Sequence, residues 1–409
     1  GKTAPAQRRR RGPAQDGTGS HGAVFAAAFV LFIHGPHLVG ECPRSHPTSA
    51  WGQQNFGKFT VRQIPNLGTK LLTWYDGQHR KLPWRAPPGE LAAPYHVWLS
   101  EIMLQQTVVK TVIPYFLHFL QRWPTVEDLA AAELDQVLHA WQGLGYYARA
   151  RNLHKCAQVV AGEHNGAFPD TEDALRTLPG IGPYTAAAVV AIAFGRKASP
   201  VDGNIERVVS RRFAVTAPLP GVKPELRRLA AGLTPDQRAG DHAQALMDLG
   251  ATVCLPRAPL CDRCPLSEAC EGRKQDIAAS LPRRQPRAKR PTRYGIAFCL
   301  FDEAGRLLLR RRPEKGLLGG MMEVPSTPWR EQAWQAGEIS GHAPLHTEWQ
   351  SLPGTVVHVF THFRLELAVH TGNGARETKS GEIWQAPKDL GELALPTVMK
   401  KVLRHGLKL

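Results

Sequence analysis

Between Leu178 and Asn204 the chain reads LPGIGPYTAAAVVAIAFGRKASPVDGN, a glycine-punctuated turn followed about twenty residues later by an isolated carboxylate, Asp202. Gly180 and Gly182 can both adopt positive φ, which would leave backbone N–H groups and the start of the next helix facing an anion. A nucleic-acid phosphate suits that chemistry. Asp202 stands just ahead of a helical run from Asn204 to Arg212, so it reads both as a reacting carboxylate and as an ordinary helix N-cap. Further along, Cys254, Cys261, Cys264 and Cys270 follow C-x6-C-x2-C-x5-C within seventeen residues. Four thiols on so short a loop call for a metal. Disulfides are the competing reading, which a DNA-directed protein of a reducing cytoplasm disfavours. Structural zinc usually shows two C-x2-C knuckles, and only Cys261 and Cys264 are so paired; a four-cysteine [4Fe–4S] cluster is therefore the expectation. Arg257 and Arg263, lying between those ligands, would carry charge toward phosphate. Cys42, Cys156 and Cys299 are expected to be ordinary thiols.

These groups need elements to position them. From about Val61 to Gln275 the apolar periodicity is helical, with Val97, Trp98, Glu101, Leu104 and Gln105 on one face. On that face desolvation would raise the pKa of Glu101 and keep a proton available, the alternative being a solvent-facing helix glutamate. Residues 61–281 are thus expected to form an all-α catalytic region that includes the 254–270 loop, and the Pro/Arg/Lys-rich stretch 282–292 a solvated basic linker. Beyond it the period changes. Ile296, Phe298 and Leu300 alternate, Asp302 to Gly305 makes a turn, Leu307 and Leu309 alternate again, and Phe363, Leu365, Leu367 and Val369 repeat the pattern. With a short helix over Pro396 to Leu407, residues 293–409 read as a small α/β domain. Residues 1–60, rich in Gly, Pro, Ser and Gln, read as a poorly specified extension with no assignment.

Composition narrows the partners. A chain of 409 residues, 43% of them hydrophobic, has room for two or three domains, and its net charge of +16 implies an anionic partner. Arg8 to Arg11, Arg283 to Arg293, and the Arg149, Arg151, His154 and Lys155 group carry much of that charge. The longest apolar run, Ala23 to Ile33, is too short to cross a bilayer and lacks a small-residue cleavage site, so neither a membrane span nor export is expected. A soluble, cytoplasmic, nucleoid-associated monomer fits these features.

Taken together, LPWR (Leu82 to Arg85), PYHVWLSEIMLQQT (Pro94 to Thr107), GLGYYARARNLHK (Gly143 to Lys155), the hairpin with VDGN, and the cysteine loop resemble the helix-hairpin-helix DNA glycosylases, specifically the MutY family of adenine DNA glycosylases. The resemblance covers all but about the first sixty residues. It implies removal of adenine mispaired with 8-oxoguanine in duplex DNA, the first step of a base excision repair that prevents G·C to T·A change. Glu101 matches the general acid that protonates adenine at N7. Asp202 matches the carboxylate that meets the C1′ cation, and an N-glycosidic bond needs both jobs done. Asn204 would support Asp202. Endonuclease III-like relatives carry a lysine where this chain has Tyr184, and tyrosine cannot form the Schiff base that precedes strand cleavage. The resemblance therefore implies a monofunctional enzyme, with Tyr184 near Asp202. Gln106 and Tyr146 match wedges that enter the base stack when the nucleotide flips out, and Gln244 falls where the family reads the flipped adenine.

Residues 293–409 resemble a Nudix fold without the glutamate-rich metal motif, since no Arg-Glu-x-x-Glu-Glu run appears around Gly319 to Gln335. In the MutY family this domain reads 8-oxoguanine with a Phe-Ser-His loop, matched here by Phe360, Thr361 and His362. Thr361 departs from serine but keeps the hydroxyl, and Leu318 replaces the tryptophan of many relatives. Two other readings stand beside this one: a bifunctional endonuclease III-like enzyme acting on oxidised pyrimidines, and a non-catalytic protein that binds damaged DNA or senses redox state.

Overall fold

The computed structural model describes residues 67–286 and 289–407. The N-terminal extension, with its Arg8 to Arg11 and Ala23 to Ile33 runs and Cys42, lies outside the described residues. Helices α1 (Leu67–Gln78), α2 (Pro94–Leu104), α3 (Val109–Arg122), α4 (Val126–Ala131), α5 (Leu134–Ala140), α6 (Ala148–Glu163), α7 (Glu172–Arg176), α8 (Pro183–Phe194), α9 (Gly203–Arg212), α10 (Lys223–Leu233), α11 (Ala239–Thr252) and α12 (Glu271–Lys274) come first. Local chemistry sets several starts: Pro94 and Pro183 occupy first-turn positions, Thr125 and Asp128 form a capping box on α4, and Asp202 caps α9. No helix among the described residues is long and apolar enough to cross a membrane.

Their apolar faces sort into two cores. One gathers α2 to α8 around Trp98, Phe116, Phe119 and Trp141, and the other gathers α1, α9, α10 and α11 around Leu71, Tyr75, Val209 and Leu249. Helix α8 is buried along its whole length from Thr185 to Ala193, as a helix with no polar face must be. It packs on α2 from one side and α11 from the other, and so joins the two cores.

The second part is one sheet of β1 (Thr292–Phe301), β2 (Leu307–Arg311), β3 (Met322–Glu323), β4 (Gln350–Ser351), β5 (Val356–Val359), β6 (Arg364–Asn373) and β7 (Glu382–Gln385), covered by α13 (Thr397–Gly406). Its order is β3-β2-β1-β6-β4, with β5 also on β6 and β7 also on β2. Strands β1 and β6 run parallel over Thr292↔Arg364 to Phe301↔Asn373, and the other pairs are antiparallel. The expected hairpin closes at Phe301↔Leu307, where the Asp302 carboxylate accepts from Arg306 N at 2.8 Å. The expected alternation along β1 gives way to continuous burial from Gly295 to Leu300. This central strand is covered on both faces: Ala297 and Cys299 lie in the core with α13, and Phe298 packs on Trp349.

The sheet is docked on the helices, and the described residues form one compact unit. Met321 and Ala394 belong to the first helical core, and Leu318, at φ 57°, touches both that core and the core of the sheet. Arg151 donates to Gly319 O at 2.6 Å and Gln142 to Leu393 O at 2.6 Å, while Arg311 grips Asp135 through two bonds of 2.7 and 2.6 Å. The stretch expected to be a solvated linker is exposed from Arg283 to Pro286, and its backbone pairs with one helical-region loop: Leu219 N donates to Arg283 O at 2.9 Å, and Gln285 N to Leu219 O at 3.1 Å. Leu219 offers both backbone groups in a loop, and an unpaired backbone seeks a partner.

Candidate active site

A cavity of about 990 Å³ opens between the two helical cores, lined by Glu101, Gln106, Tyr184, Asp202, Asn204 and Gln244 among others. Glu101 comes from the middle of α2, on the first core, and is only 6% exposed. Asp202 precedes α9, on the second core. Burial lifts the Glu101 carboxyl to about 7; the nearby Asp202 charge adds to the lift, while a hydrogen bond from Tyr184 and the Arg85 guanidinium oppose it. Tyr184 is half-buried, and its phenol pKa is raised, first by desolvation and then by the two carboxylates. Of the two carboxylates, Glu101 is the one whose anion the phenol favours.

The N-cap reading of Asp202 is met, and the same carboxylate lies on the cavity. It is the N-cap of α9, accepting from Asn204 N at 3.0 Å and Ile205 N at 2.7 Å, and it faces the cavity. Asn204 Nδ2 donates to its other oxygen at 2.7 Å. Burial still carries its pKa upward, although these three donors and Arg207 favour the anion. The support extends outward. Arg207 donates to Asn204 Oδ1 at 3.0 Å, to Gly250 O at 2.6 Å and to Cys254 O at 2.7 Å, so a chain of bonds runs from Asp202 to the cysteine loop. A Cβ on Gly250 would stand 2.6 Å from the Asn204 Cβ, which holds that position to glycine.

Arg85, quoted above only within LPWR, lies on the cavity wall, held by Asp248 through bonds of 2.7 and 2.9 Å. Asp248 also accepts from Arg80 Nε at 2.6 Å. An arginine so fixed puts a permanent positive charge near Glu101.

Gln106 and Tyr146 sit on two loops and share a trait: both are exposed and both have positive φ, 58° and 49°, which is costly for residues with a Cβ. Arg149 ties the loops together. Counted above among the basic residues, it is buried instead, donating to Ile102 O (2.9 Å), Met103 O (2.8 Å), Leu144 O (2.9 Å), Gly145 O (3.2 Å) and Thr107 Oγ1 (3.2 Å). Its guanidinium also lies 5.6 Å from the Tyr146 ring centroid. Tyr146 lies outside the cavity lining; its hydroxyl hydrogen-bonds Thr361. Thr361 and His362 form the exposed tip of the β5–β6 hairpin, closed by Phe360 N donating to Phe363 O at 2.9 Å. Phe360 is half-buried against Trp329 and Phe363, with centroids 5.8 and 4.8 Å away. Glu323, within the Gly319 to Gln335 segment, is buried and bonded to Arg310 and Arg312.

In the turn between α7 and α8, Gly180 has φ 78°, but Gly182 is extended at φ −94° as the N-cap of α8, so positive φ is needed at one glycine rather than two. A Cβ on Gly180 would meet Asn152 at 2.7 Å. The four cysteines line one small cavity. Arg211, 1% exposed, braces it by donating to Cys254 Sγ (3.3 Å), Leu255 O (2.7 Å) and Pro256 O (2.9 Å). Among the described residues no three His, Cys, Asp or Glu side chains stand as a ready ligand group, yet four half-buried thiols around one space form a soft donor set suited to iron–sulfur chemistry. Arg257 and Arg263 are exposed on this loop. Cys156 and Cys299 are buried and free.

Comparison with known proteins agrees with this architecture. Residues 99–230 match a family model described as HhH-GPD superfamily base excision DNA repair protein, and residues 296–405 match one described as NUDIX domain. The chain is 33% identical to the adenine DNA glycosylase of Homo sapiens, covering 97% of this chain and 85% of that protein. It is 36% identical to that of Rattus norvegicus (84% and 78%) and 29% identical to that of Schizosaccharomyces pombe (86% and 91%). With a helix-hairpin-helix glycosylase region, a NUDIX region and relatives of one activity matched over nearly its full length, this chain belongs to the adenine DNA glycosylase family.

Proposed function

We propose that the chain hydrolyses the N-glycosidic bond of adenine lying opposite 8-oxoguanine or guanine in duplex DNA, and leaves the strand intact. One observation carries this reading: Glu101 and Asp202 reach the wall of one cavity from separate cores, and the Glu101 pKa is lifted to about 7. At neutral pH Glu101 then holds its proton about half the time and can deliver it to N7 of an extruded adenine. Asp202, oriented by two backbone donors and Asn204, stabilises the positive charge developing at C1′, and water completes the hydrolysis. Tyr184 holds Glu101 in place. Without an amine at that position no Schiff base forms, which disfavours the endonuclease III-like alternative. Gln244, buried on the same wall, reads the adenine edge.

Gln106 and Tyr146 enter the stack as the nucleotide leaves it, and Gly180 and Gly182 present the hairpin to the backbone. Phe360, Thr361 and His362 read 8-oxoguanine; the Tyr146–Thr361 hydrogen bond favours this by joining wedge and reader. Cys254, Cys261, Cys264 and Cys270 would hold one [4Fe–4S] cluster, which when bound supplies a structural cross-link across the loop. The enzyme works as a monomer on chromosomal DNA in the cytoplasm.

The test is a single-turnover incubation with a duplex holding adenine opposite 8-oxoguanine, read before and after alkali. Cleavage only after alkali is the expected result. Strand breaks before alkali would establish a lyase, and an intact strand under both conditions would establish a binder without chemistry. Phe360→Ala and His362→Ala should each narrow the preference for 8-oxoguanine over guanine by about tenfold, while adenine opposite guanine is excised at nearly the original rate.

A further inference from the structure

Five cations line the cavity: Arg80, Arg85, Lys110, Lys223 and Arg284. Three are already committed, Arg80 and Arg85 to Asp248 and Lys223 to Glu206. Among the described residues Lys110 and Arg284 make no ion pair, and the side chain of Arg284 makes no hydrogen bond. Arg284 differs from Lys110 in its footing. It belongs to the stretch between the helices and the sheet, but its backbone is fixed beside Leu219 by the backbone bonds at residues 283 and 285. It lines the same cavity as Asp202 and Asn204. An exposed, unpaired guanidinium thus extends from a fixed backbone at the edge of the site.

The same cavity is lined by three carboxylates, Glu101, Asp202 and Glu206. A nucleotide entering it brings its own phosphodiesters toward those anions, and the repulsion has to be offset at the entrance. A guanidinium free of any carboxylate suits a phosphate, which it can grip with two parallel N–H donors. We propose that Arg284 binds a phosphodiester next to the extruded nucleotide and holds the sugar over Asp202. This rests on the base-excising reading above. Arg284 is accordingly a positioning residue supplied by the segment that connects the two regions.

The full chain is compared with Arg284→Ala, Arg284→Lys and Arg283→Ala for binding to a duplex with 2′-fluoro-2′-deoxyadenosine opposite 8-oxoguanine, whose fluorine disfavours the sugar cation and keeps the base attached. Over about 50 to 200 mM salt, Arg284→Ala should flatten the slope of log K against log salt by about 0.9, the release of one counterion, whereas Arg284→Lys and Arg283→Ala keep the original slope. A neutral methylphosphonate on one side of the adenine should weaken the original chain about tenfold and Arg284→Ala less than about twofold. Equal flattening by Arg283→Ala and Arg284→Ala would mean diffuse charge, and equal methylphosphonate losses would remove the contact. Either result overturns the proposal. Failure of the unsubstituted chain to release adenine from an ordinary duplex would strike the function itself, while these binding comparisons still report on the phosphate contact.

Discussion

Glu101 sets the pH behaviour of this site. Its folded pKa of about 7 stands above the ordinary value of 4.5, so the acid form persists to neutrality and is lost above it. Base release at saturating DNA should fall about tenfold per unit above pH 7, and fall again on the acid side where Asp202, whose pKa burial also raises, takes up a proton. Tyr184→Phe removes a donor that favours the Glu101 anion, so the alkaline limb should move to higher pH, a shift that a pH–rate profile reads directly. The same displacement affects folding. Because the folded chain keeps a proton that the unfolded chain sheds, the stabilisation is fully present below pH 4.5 and is lost as pH rises through about 7. Glu101→Gln, which carries no such charge, should therefore be roughly 3 kcal/mol more stable than the original at pH 8 and similar to it near pH 4, while losing base release and keeping DNA affinity. Denaturant midpoints at the two pH values test this, and a pH-independent difference between the proteins would rule it out.

At the level of elements, Arg149 and Arg207 matter more than their surroundings in the sequence suggest. Arg149 satisfies four backbone carbonyls, two at the end of α2 and two in the loop between α5 and α6 that carries Tyr146. Arg149→Met would leave them buried without donors, and unfolding experiments should show a loss of roughly 2–4 kcal/mol. Arg207→Gln would release Asn204 from its links to Gly250 and Cys254. Single-turnover base release should slow by about ten- to a hundredfold with DNA affinity changed little, since Asp202 loses a support used in the reaction rather than in binding. The helices that carry these residues were legible, because burying one face imposes a period. The arginines were not: a guanidinium at 149 reads the same whether water or five protein acceptors surround it.

For the whole molecule, the proposed function makes base release from one strand depend on how the sheet, as the proposed reader of the other, is held on the helices. Met321, Leu318, Arg151, Gln142 and the Asp135–Arg311 pair fix that relation, and the Tyr146–Thr361 bond lies alongside them. Asp135→Ala alone should change little, being an exposed pair. Arg151→Ala with Gln142→Ala removes two bonds to backbone carbonyls and should reduce the rate advantage of 8-oxoguanine over guanine about fivefold, with excision opposite guanine within about twofold of the original. Rates on the two duplexes, measured side by side, decide it.

What the amino-acid order determined unaided was whatever depends on near neighbours: the helical period from α1 to α12, the glycine turn ahead of α8, the β1–β2 hairpin, the clustered cysteines and the capping position of Asp202. Each follows from backbone dihedrals and side-chain spacing within a few residues. Tertiary structure decided the rest. It brought Glu101 and Asp202, a hundred residues apart in sequence, to one cavity because two separate cores meet there. It buried Arg149, paired the backbone around Arg284 with Leu219 and so set that residue at the cavity edge, and placed Tyr146 against Thr361. Charge, burial and pKa depend on what surrounds a group in three dimensions, and a linear pattern carries no record of which distant segment will supply that surrounding.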